Sequence, residues 1–340
     1  MKTGAFGIIC LLSLLVAGCA PASLTSTPLP GVDPVTIVSI ITHPPQPTDT
    51  PQPTAPASVA VTATGKKTAA GSASQTAIPS LTQIPKATST PTLGPDSWKK
   101  LPVIPLVSDR VVEIYLHGQE LGNNPHAFSK IGDCGSTPAW FLGDFDRGPT
   151  YYNLGKYQSL VGVIQQFQGS FDRTSLAARS GFNASALFVP IWADRSYCGA
   201  DEGPLACEYR VHKPVIAFIM LGANDVWHPQ EFEPQMRNII DYSIHLGVIP
   251  ILSTKADDKE GTGIINETIA RLALEYQVPL WNFWLAADPL ANNGLQEDMV
   301  HLTWGRNLFD DPQAMSKAWP VRNLTALQAL DAVWKKINSE

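Results

Sequence analysis

The sequence predicts an α/β fold built on a doubly wound parallel sheet. Three observations predict it. Continuous apolar runs at residues 215–221 (Val-Ile-Ala-Phe-Ile-Met-Leu) and 248–252 have the form of strands buried on both faces of a parallel sheet. Segments with apolar residues at helical spacing alternate with these runs. Short glycine-containing pieces follow the strand ends, where such sheets bind their ligands.

Composition divides the chain of 340 residues before any element is placed. From residue 21 to 96 there is no Phe, Trp or Tyr, and about half of the 29 prolines fall there. All nine Trp lie at Trp98 or beyond. A segment without aromatics and rich in Pro, Thr, Ser and Ala cannot bury enough apolar surface to offset its ordering entropy. Residues 19–97 therefore read as a tether of extended, polyproline-like conformation, and residues 98–340 as one globular domain. A β-branched patch at residues 35–41 reads as a sticky piece of that linker.

The N-terminus carries its own signal. After Met1-Lys2 comes an apolar run at residues 5–17, too short to span a bilayer and shaped like the core of a signal peptide. It ends Leu15-Val16-Ala17-Gly18-Cys19, which resembles the bacterial lipobox. The resemblance implies that residues 1–18 are removed and that Cys19 is lipidated. The domain would then sit outside the cytoplasm, held to the membrane only by its N-terminal lipid. An ordinary signal peptide cut near Ala17 or Ala20 is the alternative.

Of the five cysteines, Cys10 leaves with the signal and Cys19 takes the lipid. Cys198 and Cys207 flank a short Gly- and Pro-containing loop, which suits a local disulfide in an oxidising setting and leaves Cys134 as the free thiol. No CxxC or HxxxH spacing suggests a metal, and the sequence calls for no cofactor. Net charge is −6 and no basic run exceeds a pair, so nothing points to nucleic acid.

Along the domain, residues 110–116 read as a strand or a short helix. Residues 126–131 are the first strand of the main sheet, and 138–142 begin a helix. Residues 157–167 are helical, with Leu160, Val161, Ile164 and Phe167 on one face. A short second strand at 173–178 leads to Ser180-Gly181. The helix at 232–246 puts Met236, Ile239, Ile240 and Ile244 at core spacing, and Gly247 ends it. A helix at 264–276, a strand at 278–283 and a helix at 325–337 with Thr325 as N-cap complete the pattern.

Four short pieces fall after predicted strands and hold the parts that acyl transfer needs. Cys134 is a nucleophile candidate, Gly181 and Asn224 offer donors for an oxyanion, and Asp298 precedes His301 by three residues. Here the chain resembles the SGNH, or GDSL-type, hydrolase family. Gly132, Asp133, Cys134 and Ser136 match its first block, with Cys in place of the nucleophilic Ser. Gly181 matches the second block. Gly222, Asn224 and Asp225 match the third, and Asp298, His301, Leu302 and Thr303 the last. The resemblance spans about residues 126–338 and implies a three-layer α/β/α, flavodoxin-like fold and ester hydrolysis. Carried over, His301 is the base and Asp298 orients it. The amides of Cys134 and Gly181, with the Asn224 side chain, form the oxyanion hole.

A helix N-terminus opened by Pro138, together with His301, is expected to lower the ionisation range of the Cys134 thiol. Ser136 is expected to cap that helix, and Asp225 to fix its own loop. Asp225, Trp227 and His228 are candidates for substrate contact, and Trp192, Trp227 and Trp304 for stacking against sugar. The function expected is a surface-anchored acyl-ester hydrolase acting on O-acyl groups of carbohydrate or on small esters. A polysaccharide O-acetyltransferase and a binding module on the same fold, with a degenerate site, are the alternatives.

Overall fold

The chain at the centre of the molecule runs through the two apolar stretches that sequence singles out. In the computed structural model, which describes Gly94 and residues 96–339, they are strands of one four-stranded parallel sheet. The described residues lie within one of the chain's two compact units, Pro79–Glu340. The signal segment, the Cys19 site, the patch at 35–41 and nearly all of the tether lie outside the described residues.

In chain order the elements are helix α1 (Arg110–Glu120), β1 (Asn124–Gly132), α2 (Asp144–Arg147), β2 (Tyr152–Asn153) and α3 (Val161–Gln166). Then come α4 (Pro204–His212), β3 (Pro214–Met220), α5 (Pro229–His245), β4 (Ile249–Ser253) and α6 (Ile264–Tyr276). The last are β5 (Leu280–Trp281), α7 (Phe283–Ala287), β6 (Asn307–Leu308) and α8 (Ala318–Ile337). The main sheet has the order β1-β3-β4-β5, all parallel, and β2 pairs with β6 in a small separate ladder.

Every residue of β3 and β4 is buried, which is why their sequences are apolar without alternation. Helices flank the sheet as α/β/α layers. One group gathers α1, α3 and α7 around α8, and another pairs α5 with α6. Phe128, Phe141, Phe218 and Trp281 meet ring to ring across β1, β3, β5 and the turn after β1, with centroids 5.5–5.9 Å apart along the chain of contacts. They fix the sheet on the face that α8 covers.

Several expectations shift. Residues 110–116 are helical, as the start of α1. Residues 173–178 form no continuous strand. Only Ala178 bridges Gly132 in parallel, because Arg173 turns to Glu208 and to the Phe128 carbonyl. Val161 is exposed and Val163 takes its place in the core. The strand after α6 is two residues long, and Phe283 already belongs to α7. The last helix starts at Ala318, so Thr325 is interior. Its hydroxyl bonds back to the Val321 carbonyl at 2.8 Å and receives the Trp281 indole N–H. The Cys198–Cys207 disulfide is present, and Cys134 is the free cysteine among the described residues.

Candidate active site

β1 delivers the chain to the site and stops at Gly132. A Cβ at this position would lie 2.3 Å from the Met220 carbonyl oxygen and 2.4 Å from Ser136 Oγ, so only glycine lets the turn close against β3. Asp133 then shapes a 3-10 turn, Cys134–Ser136. Its Oδ1 accepts the Gly135 amide at 2.9 Å and its carbonyl accepts the Ser136 amide at 3.0 Å. Ser136 is not the cap. Its hydroxyl is buried without a partner among the described residues, and the Asp133 carboxylate fills that role.

The helix expected from Pro138 does not form. Leu142 adopts a left-handed backbone at φ 63° and gives its amide to Asn323 of α8 at 3.0 Å, so the segment turns until α2 begins. Cys134 therefore lacks an α-helix N-terminus beneath it. Burial, followed by the neighbouring Asp133 charge, pushes its thiol up from the ordinary range, against the expected lowering. The Gly135 and Cys134 amides and the Arg322 charge work in the other direction.

After β3, Gly222-Ala223-Asn224-Asp225 forms the second wall. Asp225 ties two loops together, accepting the Gly222 amide on Oδ2 and the Ala184 amide on Oδ1, each at 3.0 Å. Asn224 Nδ2 donates to the Phe182 carbonyl at 2.9 Å, which fixes the amide and leaves its second hydrogen unused. Phe182 follows Gly181, whose φ of +84° turns this loop at the cleft edge. The amides of Cys134 and Gly181 give no backbone hydrogen bond among the described residues, so both donors remain for a ligand.

The third wall is a loop pinched by the Leu295–Leu302 bridge. Within it, Asp298 Oδ1 accepts the amides of Val300 and His301, and Oδ2 meets His301 Nδ1 at 2.6 Å. The bond to His301, helped by the two amides, draws the Asp298 carboxyl down to about 2. The pair orients the ring so that Nε2 is the nitrogen left for a proton. The His301 side chain is 60% exposed, so its ring is open to solvent and to an incoming substrate.

Cys134, Gly181, Asn224 and His301 line one cleft of about 330 Å³, with Met220 and Thr254 among its other walls. No hydrogen bond joins the Cys134 thiol to the His301 ring. Asp225, Trp227 and His228 are not lining residues. Asp225 is buried behind the wall, and Trp227, 72% exposed, lies outside beneath the Lys259 ammonium. Arg322, Lys255, Asp257 and Trp319 do line the cleft and had no motif around them in the sequence. Lys255 is fully engaged by Asp257 and Glu260, each at 2.7 Å. No group of acidic, His or Cys side chains suited to a metal occurs among the described residues.

No protein-family model and no curated protein matches the sequence. Among solved structures, the chain is similar to a protein described as lipolytic and of the G-D-S-L family from Desulfitobacterium hafniense DCB-2. That match has 13% identity and a TM-score of 0.38, and covers 60% of this chain and 99% of that one. It is similar also to an acetylxylan esterase from Geobacillus stearothermophilus, at 16% identity and a TM-score of 0.38, covering 64% and 96% of the two chains. An esterase from Pseudoalteromonas sp. matches at 12% identity and a TM-score of 0.38, covering 61% and 97%. At these scores the likeness is loose, and the chain's own geometry bears on activity.

Proposed function

We propose that the protein is an acyl-ester hydrolase that uses Cys134, His301 and Asp298, acting on O-acyl groups of carbohydrate or on small esters. The observation that carries the reading is the Asp298–His301 pair at 2.6 Å, opening on the same cleft as Cys134 and three candidate oxyanion donors. In this reading His301 Nε2 removes the thiol proton as the sulfur attacks the ester carbonyl. The carbonyl electrons move to oxygen, where the Cys134 and Gly181 amides and Asn224 Nδ2 receive them. Collapse expels the alcohol, which takes the proton back from His301. Water, activated by the same imidazole, then releases the acid and restores the thiol.

The raised thiol sharpens this reading, because proton removal belongs to the attack itself rather than to a standing thiolate. It also favours the second reading, a binding module that retains the cleft without turnover. Hydrolysis of p-nitrophenyl acetate by the wild type, Cys134→Ala and His301→Ala separates the two. The first reading expects both variants to lose most of the activity, and equal rates in all three would leave the binding module. Lipid attachment at Cys19, which would hold the domain on the outer face of the membrane, is part of the same proposal and is supported by the Leu15-to-Cys19 motif.

A further inference from the structure

Arg322 is the most unusual group near the cleft. It belongs to the first turns of α8, some way along the chain from the Cys134 turn, and it is only 8% exposed. Its Nη1 donates to the Gly135 carbonyl at 2.6 Å, inside the nucleophile turn. Its Nη2 faces the Met220 sulfur at 3.2 Å, at the end of β3. Nε is buried without a partner among the described residues.

The guanidinium is enclosed by aromatic rings. Its central carbon lies 4.8 Å from the Phe141 ring centroid, 5.2 Å from Trp319, 5.7 Å from Phe283 and 5.9 Å from Trp281. Ring faces attract a cation without using its N–H donors, so the cage holds Arg322 while leaving the hydrogen bonds to the turn. A buried cation is costly unless an opposite charge meets it. Asp133 and a charge forming on Cys134 are the groups whose attraction opposes its desolvation.

We infer that Arg322 is a positioning residue of the reaction: it holds the Cys134 turn through the Gly135 carbonyl and supplies the positive charge that stabilises the sulfur as it loses its proton. The inference rests on the reading of Cys134 as nucleophile. It places in α8 the stabilisation that a helix N-terminus after β1 would otherwise give. The charged groups around the thiol are Asp133 on its own turn, Arg322 on α8 and His301 on the loop before α8. Lys255 and Asp257, from the segment after β4, line the cleft as well, and Asp225 lies behind its wall. Asp133 works against a thiolate and Arg322 for it, so the two must be separated by substitution.

The test is the pH midpoint of Cys134 alkylation by iodoacetamide, a readout that needs no turnover. Removing Arg322 alone would leave Asp133 buried and uncompensated. It would then take up a proton and hide the effect, so the comparison is made in the Asp133→Asn background. There, Arg322→Met is expected to raise the midpoint by about one pH unit or more, and Arg322→Lys to restore most of that shift. Equal midpoints for Asp133→Asn with and without Arg322→Met would overturn the inference.

In the same Asp133→Asn background, Gly135→Ala provides an arm that retains the Arg322 side chain should the cage variants not fold. Its Cβ would lie 3.2 Å from the Oδ1 of residue 133, 3.3 Å from Nη1 and 3.6 Å from the Trp319 ring, so the guanidinium must give way by a few tenths of an ångström, which loosens its bond to the Gly135 carbonyl. Its midpoint is expected to rise, and an unchanged one in the folded variant would equally overturn the inference. Esterase loss in Cys134→Ala reports on the reading of the nucleophile, whereas the alkylation midpoint reports on Arg322, so each can fail alone.

Discussion

Lys130 lies on β1 between core neighbours, four residues before Cys134, with its ammonium bonded to the Phe171 carbonyl at 2.6 Å. Burial, and next the nearby Arg173 charge, pull its ionisation down to about 7 from the ordinary 10.5. A lysine that ionises less readily in the folded chain than in the unfolded one binds fewer protons when folded between those two values. Its contribution therefore destabilises at neutral pH and below, and the fold gains stability as pH rises from about 7 towards 10.5. One pH unit of such a difference is worth about 1.4 kcal/mol, and at pH 7 the slope is roughly half its full value because about half of the folded chains still hold the proton. The gain between pH 7 and pH 9 should then be about 2 kcal/mol. Lys130→Met keeps the stem's bulk and removes the titration, although it leaves the Phe171 carbonyl unpaired at every pH. Urea unfolding of wild type and variant at pH 7, 8 and 9 isolates the slope, because that constant cost cancels. The wild type should gain the 2 kcal/mol relative to Lys130→Met, and parallel stabilities across that range would refute the argument that burial discharges this lysine.

Three further outcomes follow from the site and its supports. Asp298→Asn should lower kcat/KM on p-nitrophenyl acetate roughly a hundredfold or more, with little change in KM. An amide donor at the Oδ2 position would leave Nδ1 accepting and Nε2 already protonated, and unchanged kinetics would show that His301 is not the base. Gly132→Ala should cost about 1–3 kcal/mol in a denaturant melt, since its Cβ has only the Met220 carbonyl and Ser136 Oγ to move. Cys19→Ala expressed in a bacterium that processes lipoproteins should shift the protein from the membrane fraction to the soluble exported fraction, and retention in the membrane would count against the lipid anchor.

Strands buried on both faces and amphipathic helices were legible because their pattern needs no distant partner. β3, β4, α5 and α6 appear within a few residues of their expected ends, and α6 on the residues read for it. Residues whose bonding comes from afar were not legible. Arg173 looked like the start of a strand, but Glu208 on α4 holds it away from a ladder. Pro138 looked like a helix start, but the Leu142 amide is taken by Asn323 on α8. Thr325 looked like a cap because a hydroxyl inside a helix that bonds back to its own carbonyls leaves no mark in the sequence. At the site, Cys134 and Asn224 could be found by their place after strands, and Gly181, Asp298 and His301 by the short blocks around them. Arg322 could not, since its cage draws Phe141, Trp281, Phe283 and Trp319 from separate stretches of chain. With it was lost the balance of charge at the thiol, which spacing alone placed on the wrong side.

The central claim is that the sulfur of Cys134 carries the acyl group. Mixing the full chain with p-nitrophenyl acetate, quenching in acid within the first turnover and mapping the peptides by mass spectrometry tests it most directly. An acetyl group on Cys134 that is removed by hydroxylamine, absent in Cys134→Ala and longer-lived in His301→Ala is the predicted result. An unmodified Cys134 during active hydrolysis, or an acetyl group on Ser136 in its place, would contradict the account.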